Sequence, residues 1–384
     1  MIYLDNSATT ELSAEAKAAM TAAMESYGNP SSLHSAGDAS RRELAAARAK
    51  VALALGARGG KLIFTSCGSE ASNLAILGSI YSKKRRTARR IVTTDSEHPS
   101  VENVMRALEE QGFEIVRIPT AGGELDADAL EKALDAPILT VSMMLVNNET
   151  GAVYRVADFF KKVKDKYPDA VCHCDAVQAF LKLPVAPNTL NADMISISAH
   201  KIHGPKGVGA LWVSDRIIRE RRLVPTLLGG GQEEGFRSGT ENTVGIAGFA
   251  AAAEQGVKSF AEDVRKMTEL RQYAIERLSE LNGSIRLNLP QTAAPHVISV
   301  TVSGIKSQTV LNHLSAAGIC VSSGSACSSH SNKPSQVLLA YGLSERDADS
   351  TIRISLSRYN TKEDIDALTV ALDTAISRLV RVKR

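Results

Sequence analysis

Short apolar runs alternate with amphipathic stretches along the first two thirds of the chain. The apolar runs predict buried strands, because near-continuous apolar segments are typical of sheets that are covered on both faces. Amphipathic stretches such as 101–111 and 156–166 lie between them and predict helices. The alternation favours a parallel or mixed sheet with helices on both sides. The predicted strands are 61–65, 90–94, 113–118, 137–145, 170–175, 193–198 and 208–213.

The pattern changes near residue 259. A long helix is predicted over 260–281, and it is followed by the apolar run "HVISVTV", a helix over 308–317, a serine-rich segment and a final helix. This order of elements is typical of a smaller α+β domain. We therefore expect a large domain over 15–258 and a small domain made of 1–14 and 259–384.

The composition is that of an ordinary globular protein. The chain has 384 residues, of which 44% are hydrophobic and 23% are charged, and its formal net charge is +3. So small a net charge gives no reason to expect nucleic acid or a membrane surface as a partner. We see neither a membrane-spanning run nor a signal peptide. Five cysteines without regular spacing do not suggest a disulfide framework, so we expect a cytoplasmic protein.

Polar side chains follow the predicted strands 61–65, 90–94 and 137–145, at the strand ends where ligands of such sheets bind. Gly68 and Ser69 stand at an apparent helix start. Free N–H groups and the helix dipole would suit a phosphate there, although Gly-Ser is also an ordinary turn and cap. His98 reads as a cap, a surface residue or a ligand. Asn148 either contacts a ligand or closes a turn.

The strand predicted over 170–175 leads into "HCDAVQ", which carries Asp175 and Gln178. The preceding Cys172, His173 and Cys174 could suggest zinc. Alternation within a strand puts His173 on the opposite face from the two cysteines, and no second Cys/His pair lies nearby, so we expect no metal. We expect Cys172, Cys174 and Cys320 to be core residues and Cys67 to be a small buried one.

The strand predicted over 193–198 leads into "SISAHKIHGPKG", which places Lys201 after Ser198 and His200. A partly desolvated lysine can lose its proton and form an imine. An imine-forming lysine, a phosphate site at Gly68 and an aspartate that can pair with a ring nitrogen together suit one aldehyde cofactor, pyridoxal 5′-phosphate.

The loop "SSGSACSSH" carries Cys327 among small and polar residues. Gly324 and the serines give backbone freedom and little packing, so we expect a thiol that can move.

With these motifs together, the sequence closely resembles the pyridoxal-phosphate-dependent cysteine desulfurases of the NifS/IscS group, within the class-V aminotransferases. The matching motifs span nearly the whole chain: "YLDNSATT", "FTSCGSEASN", "EHPSV", "NNETG", "CDAVQ", "SAHKIHGPKGVGAL", "RSGTEN", "SSGSACSS" and "IRISLSR". The resemblance implies a fold-type I α/β transferase, with a mostly parallel seven-stranded sheet in the large domain and a smaller α+β domain.

The resemblance also implies a role for each matching residue. Lys201 would hold the cofactor as an imine, and His98 would stack on its ring and transfer protons. Asn148 and Arg353 would bind the substrate carboxylate, Arg353 through a bidentate fork. Cys327 would take sulfur from L-cysteine as a persulfide. The cofactor-binding residues implied are Lys201, Gly68, Ser69, His98, Asn148, Asp175, Gln178, Ser198, His200 and Thr240.

Two implied contacts reach beyond this chain. Thr240 would contact the phosphate of the neighbouring subunit's cofactor, which implies a homodimer. The persulfide would pass to a sulfur-acceptor protein, either an iron–sulfur scaffold or an enzyme of thiolation. Two rival readings remain open. One is a selenocysteine lyase or aminotransferase on the same fold, and the other is a non-catalytic scaffold.

Overall fold

The computed structural model describes residues 1–82, 88–281, 283–324 and 334–379. Its strands are β1 (Ile2–Tyr3), β2 (Lys61–Thr65), β3 (Arg90–Thr94), β4 (Glu114–Ile118), β5 (Ile138–Met144), β6 (Val171–Asp175), β7 (Met194–Ser198), β8 (Gly209–Val213), β9 (Ile285–Asn288), β10 (Val297–Val302), β11 (Ile319–Cys320) and β12 (Thr351–Ser355). Its helices are α1 (Ala14–Met24), α2 (Ser35–Ala54), α3 (Gly68–Ile80), α4 (Pro99–Glu110), α5 (Ala127–Ala133), α6 (Val156–Lys166), α7 (Pro187–Leu190), α8 (Asp215–Arg219), α9 (Thr243–Ser279), α10 (Ser307–Ala316), α11 (Gln336–Ala340), α12 (Glu345–Asp349) and α13 (Lys362–Arg378).

The largest sheet has the order β2-β8-β7-β6-β5-β3-β4 within the described ranges. Strand β8 runs antiparallel to both of its neighbours, and the other pairs are parallel. Strands β5, β6, β7 and β8 are buried along their whole length, because helices cover both faces. This mostly parallel seven-stranded sheet confirms the predicted α/β fold, and each predicted strand agrees with the structure within one residue at either end.

The carboxyl ends of β2, β3, β5, β6 and β7 lie at one edge of this sheet, since these strands run in the same direction. The chain passes through short turns from β2 into α3 and from β3 into α4, and it leaves β5 and β6 through longer connections that end at Val156 and Pro187. Every strand end that was singled out in the sequence therefore faces the same side of the molecule.

A second hydrophobic core lies around the sheet β12-β10-β9. It includes Leu4 from the N-terminus and Ile298, Ile354 and Leu368 from the last third of the chain. Strand β1 pairs with β11, which brings the N-terminal segment to this core. The domain boundaries at 15–258 and at 259–384 stay a prediction.

Helix α9 passes from the first core to the second. Its first half packs against the large sheet's core through Phe249, and its second half packs into the second core through Leu270 and Leu278. The predicted start at residue 260 was wrong, because the helix begins at Thr243. In the part of the chain that the structure describes, no helix combines the length and the apolar character needed to cross a membrane.

Candidate active site

One cavity of about 190 Å³ opens at the carboxyl edge of the large sheet. Of the predicted site residues that the structure describes, all except Thr240 line it. These are Gly68, Ser69, His98, Asn148, Asp175, Gln178, Ser198, His200, Lys201 and Arg353. Residues that lie up to 346 positions apart in the sequence thus line one space, counting from Ser7 to Arg353.

The first turn of α3 forms one end of the cavity. Cys67, which precedes the helix, makes no side-chain hydrogen bond to it, so the N–H groups of the first turn are not capped. A Cβ atom on Gly68 would lie 2.8 Å from Val177 Cγ2, and one on Gly209 would lie 2.4 Å from the Cys67 carbonyl carbon. The turn is therefore packed tightly by two glycines, and it can bring backbone N–H groups close to an anion.

Lys201 ends a short 3₁₀ turn that follows β7 directly. Its ammonium group donates to the Ser7 and Ala8 carbonyl oxygens, at 2.5 and 2.8 Å. The N-terminal segment thus crosses the cavity wall and holds the lysine there. His200, the preceding residue, contacts Thr9 through Nδ1 at 3.2 Å, and burial together with the charge of Lys201 lowers its pKa to about 3.

Asp175 and Gln178 follow β6. One carboxylate oxygen of Asp175 accepts from the Val177 N–H at 2.9 Å, which leaves the other oxygen for a ligand. Burial raises the pKa of Asp175 to about 6, while the Val177 N–H and Lys201 oppose that rise. The Gln178 amide donates to the Ser7 carbonyl at 2.9 Å. A cation or a protonated ring nitrogen beside Asp175 would favour its ionised form.

His98 caps helix α4 with its own ring. Nδ1 accepts a hydrogen bond from the Ser100 N–H at 3.1 Å, so the neutral ring carries its proton on Nε2. Burial, reinforced by the positive charge of Lys201, lowers the pKa of His98 to about 4. His98 is therefore a neutral imidazole at pH 7 and presents an Nε2–H group on the side away from its helix.

Arg353 lies on β12 and reaches the cavity from the second core. Its side chain is 2% exposed, donates to the Asn148 carbonyl at 2.9 Å and forms an ion pair with Asp5 at 2.8 Å. Nε has no hydrogen-bond partner among the described residues, and neither has Asn148 Oδ1. Counted over the described residues, the two observed bonds use one N–H group each, so three of the five guanidinium N–H groups are available to a carboxylate.

Buried polar atoms without partners concentrate at this cavity. Within the described residues, Ser7 Oγ, Asn148 Oδ1, Ser198 Oγ and Arg353 Nε are all buried and unpaired, and all four residues line it. Such atoms are costly unless a ligand or water satisfies them. Together with the uncapped helix start, the lysine and the aspartate, they fit pyridoxal 5′-phosphate in chemistry and in placement.

Among the described residues, Thr240 is the predicted site residue that lies outside this cavity. Thr240 is exposed and lines a different cavity beside Ser66, next to the start of α3. The ion pair between Arg237 and Glu70, at 2.8 Å, holds its segment there. Cys327 lies outside the described residues.

The other cysteines divide into two kinds. Cys172 and Cys174 are buried, as predicted. The predictions for Cys67 and Cys320 were wrong, because both are partly exposed. Cys67 lines the cavity, and Cys320 lies on the two-residue strand β11, which leaves part of its side chain uncovered. His173, between the two buried cysteines, forms hydrogen bonds with Ser142 and Ser196, both at 2.8 Å.

Sequence reasoning missed the part that the N-terminus plays in the site. Asp5 pairs with Arg353, and the Ser7 carbonyl receives hydrogen bonds from both Lys201 and Gln178. The motif "YLDNSATT" was noted only as part of the resemblance. This motif lies at the N-terminus, far along the sequence from the other motifs, so nothing in the sequence indicated that it contacts them in the fold.

Comparison with known protein families and structures places the whole chain in one group. The aminotransferase class-V family model matches residues 2–368. A cysteine desulfurase of Trichormus azollae is 40% identical over 387 aligned positions, which cover 99% of this chain and 94% of the relative.

Solved structures agree with this. A NifS-like protein superimposes with a TM-score of 0.90 at 35% identity, covering 98% of this chain and all of the other. The protein SspA, solved in complex with cysteine, superimposes with a TM-score of 0.81 at 34% identity over 94% of this chain and all of the other. These likenesses confirm the resemblance and the fold-type I architecture predicted from the sequence.

Proposed function

This chain belongs to the aminotransferase class-V family and is a cysteine desulfurase, and we propose that it transfers the sulfur of L-cysteine to Cys327 and releases L-alanine. The observation that carries the proposal is the cavity at the sheet edge. It brings together Lys201, Asp175, His98 and Arg353, and four buried polar atoms of its lining residues lack hydrogen-bond partners within the described chain.

The proposed cofactor is pyridoxal 5′-phosphate, held at both ends of the cavity. Lys201 would bind its aldehyde carbon, and Asp175 would face its ring nitrogen. The uncapped turn at Gly68, with Ser198 and His200, would receive the phosphate. Ser69 and Gln178 complete the proposed set. When bound, the cofactor supplies an electron sink that stabilises negative charge at the substrate carbon next to the amine.

The substrate's orientation follows from Arg353 and Asn148. A carboxylate that accepts from the guanidinium would satisfy Nε, and the substrate amine would then point toward Lys201. Because the Arg353 side chain is only 2% exposed, this contact is shielded from water and discriminates strongly for a free α-carboxylate. L-cysteine meets that demand, and a cysteine within a peptide chain does not.

We assign the proton transfers of the reaction to His98 and Lys201. His98 presents a proton on Nε2, because Nδ1 is held by the Ser100 N–H. With its pKa lowered to about 4, the ring gives up an added proton readily at neutral pH. The Lys201 amine, once it is not bound to an aldehyde, is the proposed base for the α-proton.

The sulfur step is a displacement at sulfur. The Cys327 thiolate attacks the substrate Sγ atom, and the Cβ–Sγ bond breaks with its electron pair going to carbon. The carbon takes up a proton, so L-cysteine and one thiol yield L-alanine and one persulfide. No outside oxidant or reductant is consumed.

The proposed partners follow from these roles. Thr240, which is exposed and lies outside its own chain's cavity, suits a contact with a second subunit's cofactor, and we propose a homodimer. An acceptor protein, either an iron–sulfur scaffold or a thiolation enzyme, would remove the persulfide sulfur. We propose a cytoplasmic location, where thiols stay reduced.

Alanine formation by the Cys327→Ala variant tests the proposal. Wild-type protein is expected to form L-alanine from L-cysteine, and the variant is expected to lose this activity while keeping the yellow colour of the bound cofactor. Full retention of alanine formation would contradict the sulfur-acceptor role. If the variant still forms L-alanine from selenocysteine but no longer from L-cysteine, the result would favour a selenocysteine lyase.

A further inference from the structure

Glu149 contacts both ends of the chain segment that carries Cys327. Its Oε2 atom accepts a hydrogen bond from Ser335 Oγ at 2.6 Å. A Cβ atom placed on Gly324 would lie 2.7 Å from the same oxygen and 3.7 Å from Ser335 Cβ. The residues that bracket 325–334 therefore lie side by side, and they meet at one carboxylate.

Glu149 is itself held firmly. It is 3% exposed, and its backbone N–H donates to Asn147 Oδ1 at 2.9 Å. Asn147 also accepts from the Thr150 N–H at 2.9 Å and donates to the Ser96 carbonyl at 3.1 Å. This side-chain-stabilised turn fixes the direction in which the Glu149 carboxylate points.

The same turn contacts the proposed substrate site. Asn148, the preceding residue, accepts from Arg353 Nη1 at 2.9 Å. The Arg353 backbone in turn pairs with Ser322, through N–H···O distances of 2.6 and 3.1 Å. The proposed carboxylate site and both ends of the Cys327 segment thus belong to one hydrogen-bonded cluster.

Gly324 is suited to this cluster by its backbone as well as its size. Its φ angle is +70°, a conformation that side-chain-bearing residues rarely adopt. The lack of a Cβ atom lets the chain pass directly against Glu149. Any larger residue would both strain the turn and push the carboxylate away from Ser335.

We propose that Glu149 is a positioning residue for sulfur transfer, which fixes both ends of the Cys327 segment relative to Arg353 and so sets where the thiol can reach. The inference rests on the proposed role of Cys327 as sulfur acceptor. Glu149 touches neither the substrate nor the cofactor cavity. It acts through Gly324 and Ser335.

The physical basis is the restriction of a ten-residue connection whose two ends are held at one point. Releasing one end removes the fixed placement of the flanking residues, so the geometry for attack by the Cys327 thiol on the substrate sulfur is lost and persulfide formation slows. Steps that precede the thiol's attack depend on Lys201, Asp175 and Arg353, and they are left intact.

The experiment compares four single variants of the holoenzyme, and the double variant Glu149→Ala/Ser335→Ala, in single turnover with L-cysteine. Glu149→Ala removes the acceptor, and Ser335→Ala removes the donor. Ser335→Thr keeps a hydroxyl and is the conservative rescue. Ser344→Ala is the matched control, because Ser344 caps the short helix α12 through the Asp347 N–H, at 3.2 Å, as Ser335 caps α11. Persulfide on Cys327 is followed by mass spectrometry, and substrate binding by the absorbance change on adding cysteine.

We expect Glu149→Ala and Ser335→Ala each to slow persulfide formation about tenfold or more, as for loss of a hydrogen bond to a charged group. The double variant should be about as slow as either single variant, because the two side chains act through one contact. Ser335→Thr and Ser344→Ala should stay within about twofold of wild type. The half-saturating cysteine concentration should stay unchanged throughout.

Three results of the single-turnover experiment would overturn the proposal. One is a normal persulfide rate in both Glu149→Ala and Ser335→Ala. Another is equal slowing by Ser344→Ala, which would reveal a general effect of cap loss. The third is a double variant in which the two effects multiply.

A separate reading distinguishes failure of this proposal from failure of the proposed function. Alkylation of Cys327 by iodoacetamide in the resting holoenzyme needs no catalysis. Loss of the hydrogen bond between Glu149 and Ser335 should change the alkylation rate about threefold or more, in Glu149→Ala and in Ser335→Ala. The alkylation rate should stay unchanged in Ser344→Ala. If wild-type protein forms alanine without persulfide on Cys327, the sulfur-acceptor role fails. Equal alkylation rates in all variants overturn the positioning role of Glu149.

Discussion

Lys182 is a buried cation that the proposed chemistry does not use, and its replacement by methionine gives a quantitative test of the site's electrostatics. The residue is 6% exposed, and its Nζ atom has no hydrogen-bond partner within the described chain. It lines a small cavity of about 30 Å³ together with Lys201, Asp263 and Arg358. Burial, followed by the charge of Lys201, lowers the pKa of Lys182 from 10.5 to about 7.

The sign of the effect follows from the direction of this shift. The folded-state pKa lies below the unfolded one, so the unfolded chain binds more protons between about pH 7 and pH 10.5. The charged lysine therefore destabilises the fold fully below about pH 7, and the penalty fades as the pH rises toward 10.5. At about 1.4 kcal/mol per pKa unit, the penalty is about 5 kcal/mol at pH 6 and about 2 kcal/mol at pH 9.

The assay is urea unfolding of the cofactor-free Lys182→Met variant and wild type at pH 6 and pH 9. Fluorescence of Trp212, the single tryptophan, reports the transition. Methionine fills a similar volume without charge. The variant should be more stable than wild type, with an advantage about 3 kcal/mol larger at pH 6 than at pH 9.

Lys161→Met is the matched control, because Lys161 is an exposed lysine on helix α6. This variant should change stability by less than about 0.5 kcal/mol at either pH. A Lys182→Met advantage of the same size at pH 6 and pH 9 would refute the reasoning, since it would mean that Lys182 is not held as a desolvated cation.

Two further substitutions test the cavity. Arg353→Lys should raise the KM for L-cysteine about tenfold or more, because an ammonium group cannot make the planar two-point contact with a carboxylate; an unchanged KM in initial-rate measurements would contradict the carboxylate assignment. Gly68→Ala should weaken pyridoxal 5′-phosphate binding about tenfold, since the added Cβ would lie 2.8 Å from Val177 Cγ2 and displace the turn. An absorbance titration of cofactor-free protein measures the dissociation constant, and an unaltered value would remove Gly68 from the proposed site.

The sheet and its site edge could be predicted from local patterns. Each inner strand is a near-continuous apolar run that ends in a polar residue, as in "DMISIS" before Lys201 and "AVCHCD" with Asp175. Parallel strands bring such ends to one edge, so the pattern predicts a shared site without any contact information. This is why the cavity contains nearly every residue that strand-end reasoning selected.

Contacts between distant segments could not be predicted in this way. The ion pair of Asp5 with Arg353 joins residues 348 positions apart. Neither residue carries a local signal of the other, and they meet because the N-terminal segment runs alongside β12, where Asp5 forms a β-bridge with Ser355. The anchoring of Gly324 and Ser335 by Glu149 is hidden for the same reason.

The long helix shows a different limit of pattern reading. Its first part, 243–256, is rich in alanine and glycine and has almost no polar face, so helical periodicity is invisible there. The structure buries this part closely, and a Cβ atom on Gly248 would lie 2.6 Å from Met20 Cγ. Amphipathic periodicity appears only near residue 260, and that is where the helix was predicted to start.

The central claim is that sulfur passes from L-cysteine to Cys327, and intact mass spectrometry after one turnover tests it most directly. Holoenzyme is mixed with one equivalent of L-cysteine, quenched without reductant, and digested to locate any added sulfur. The account predicts a gain of one sulfur atom on Cys327 together with an equal amount of L-alanine. Alanine with free sulfide and an unmodified Cys327 would contradict it.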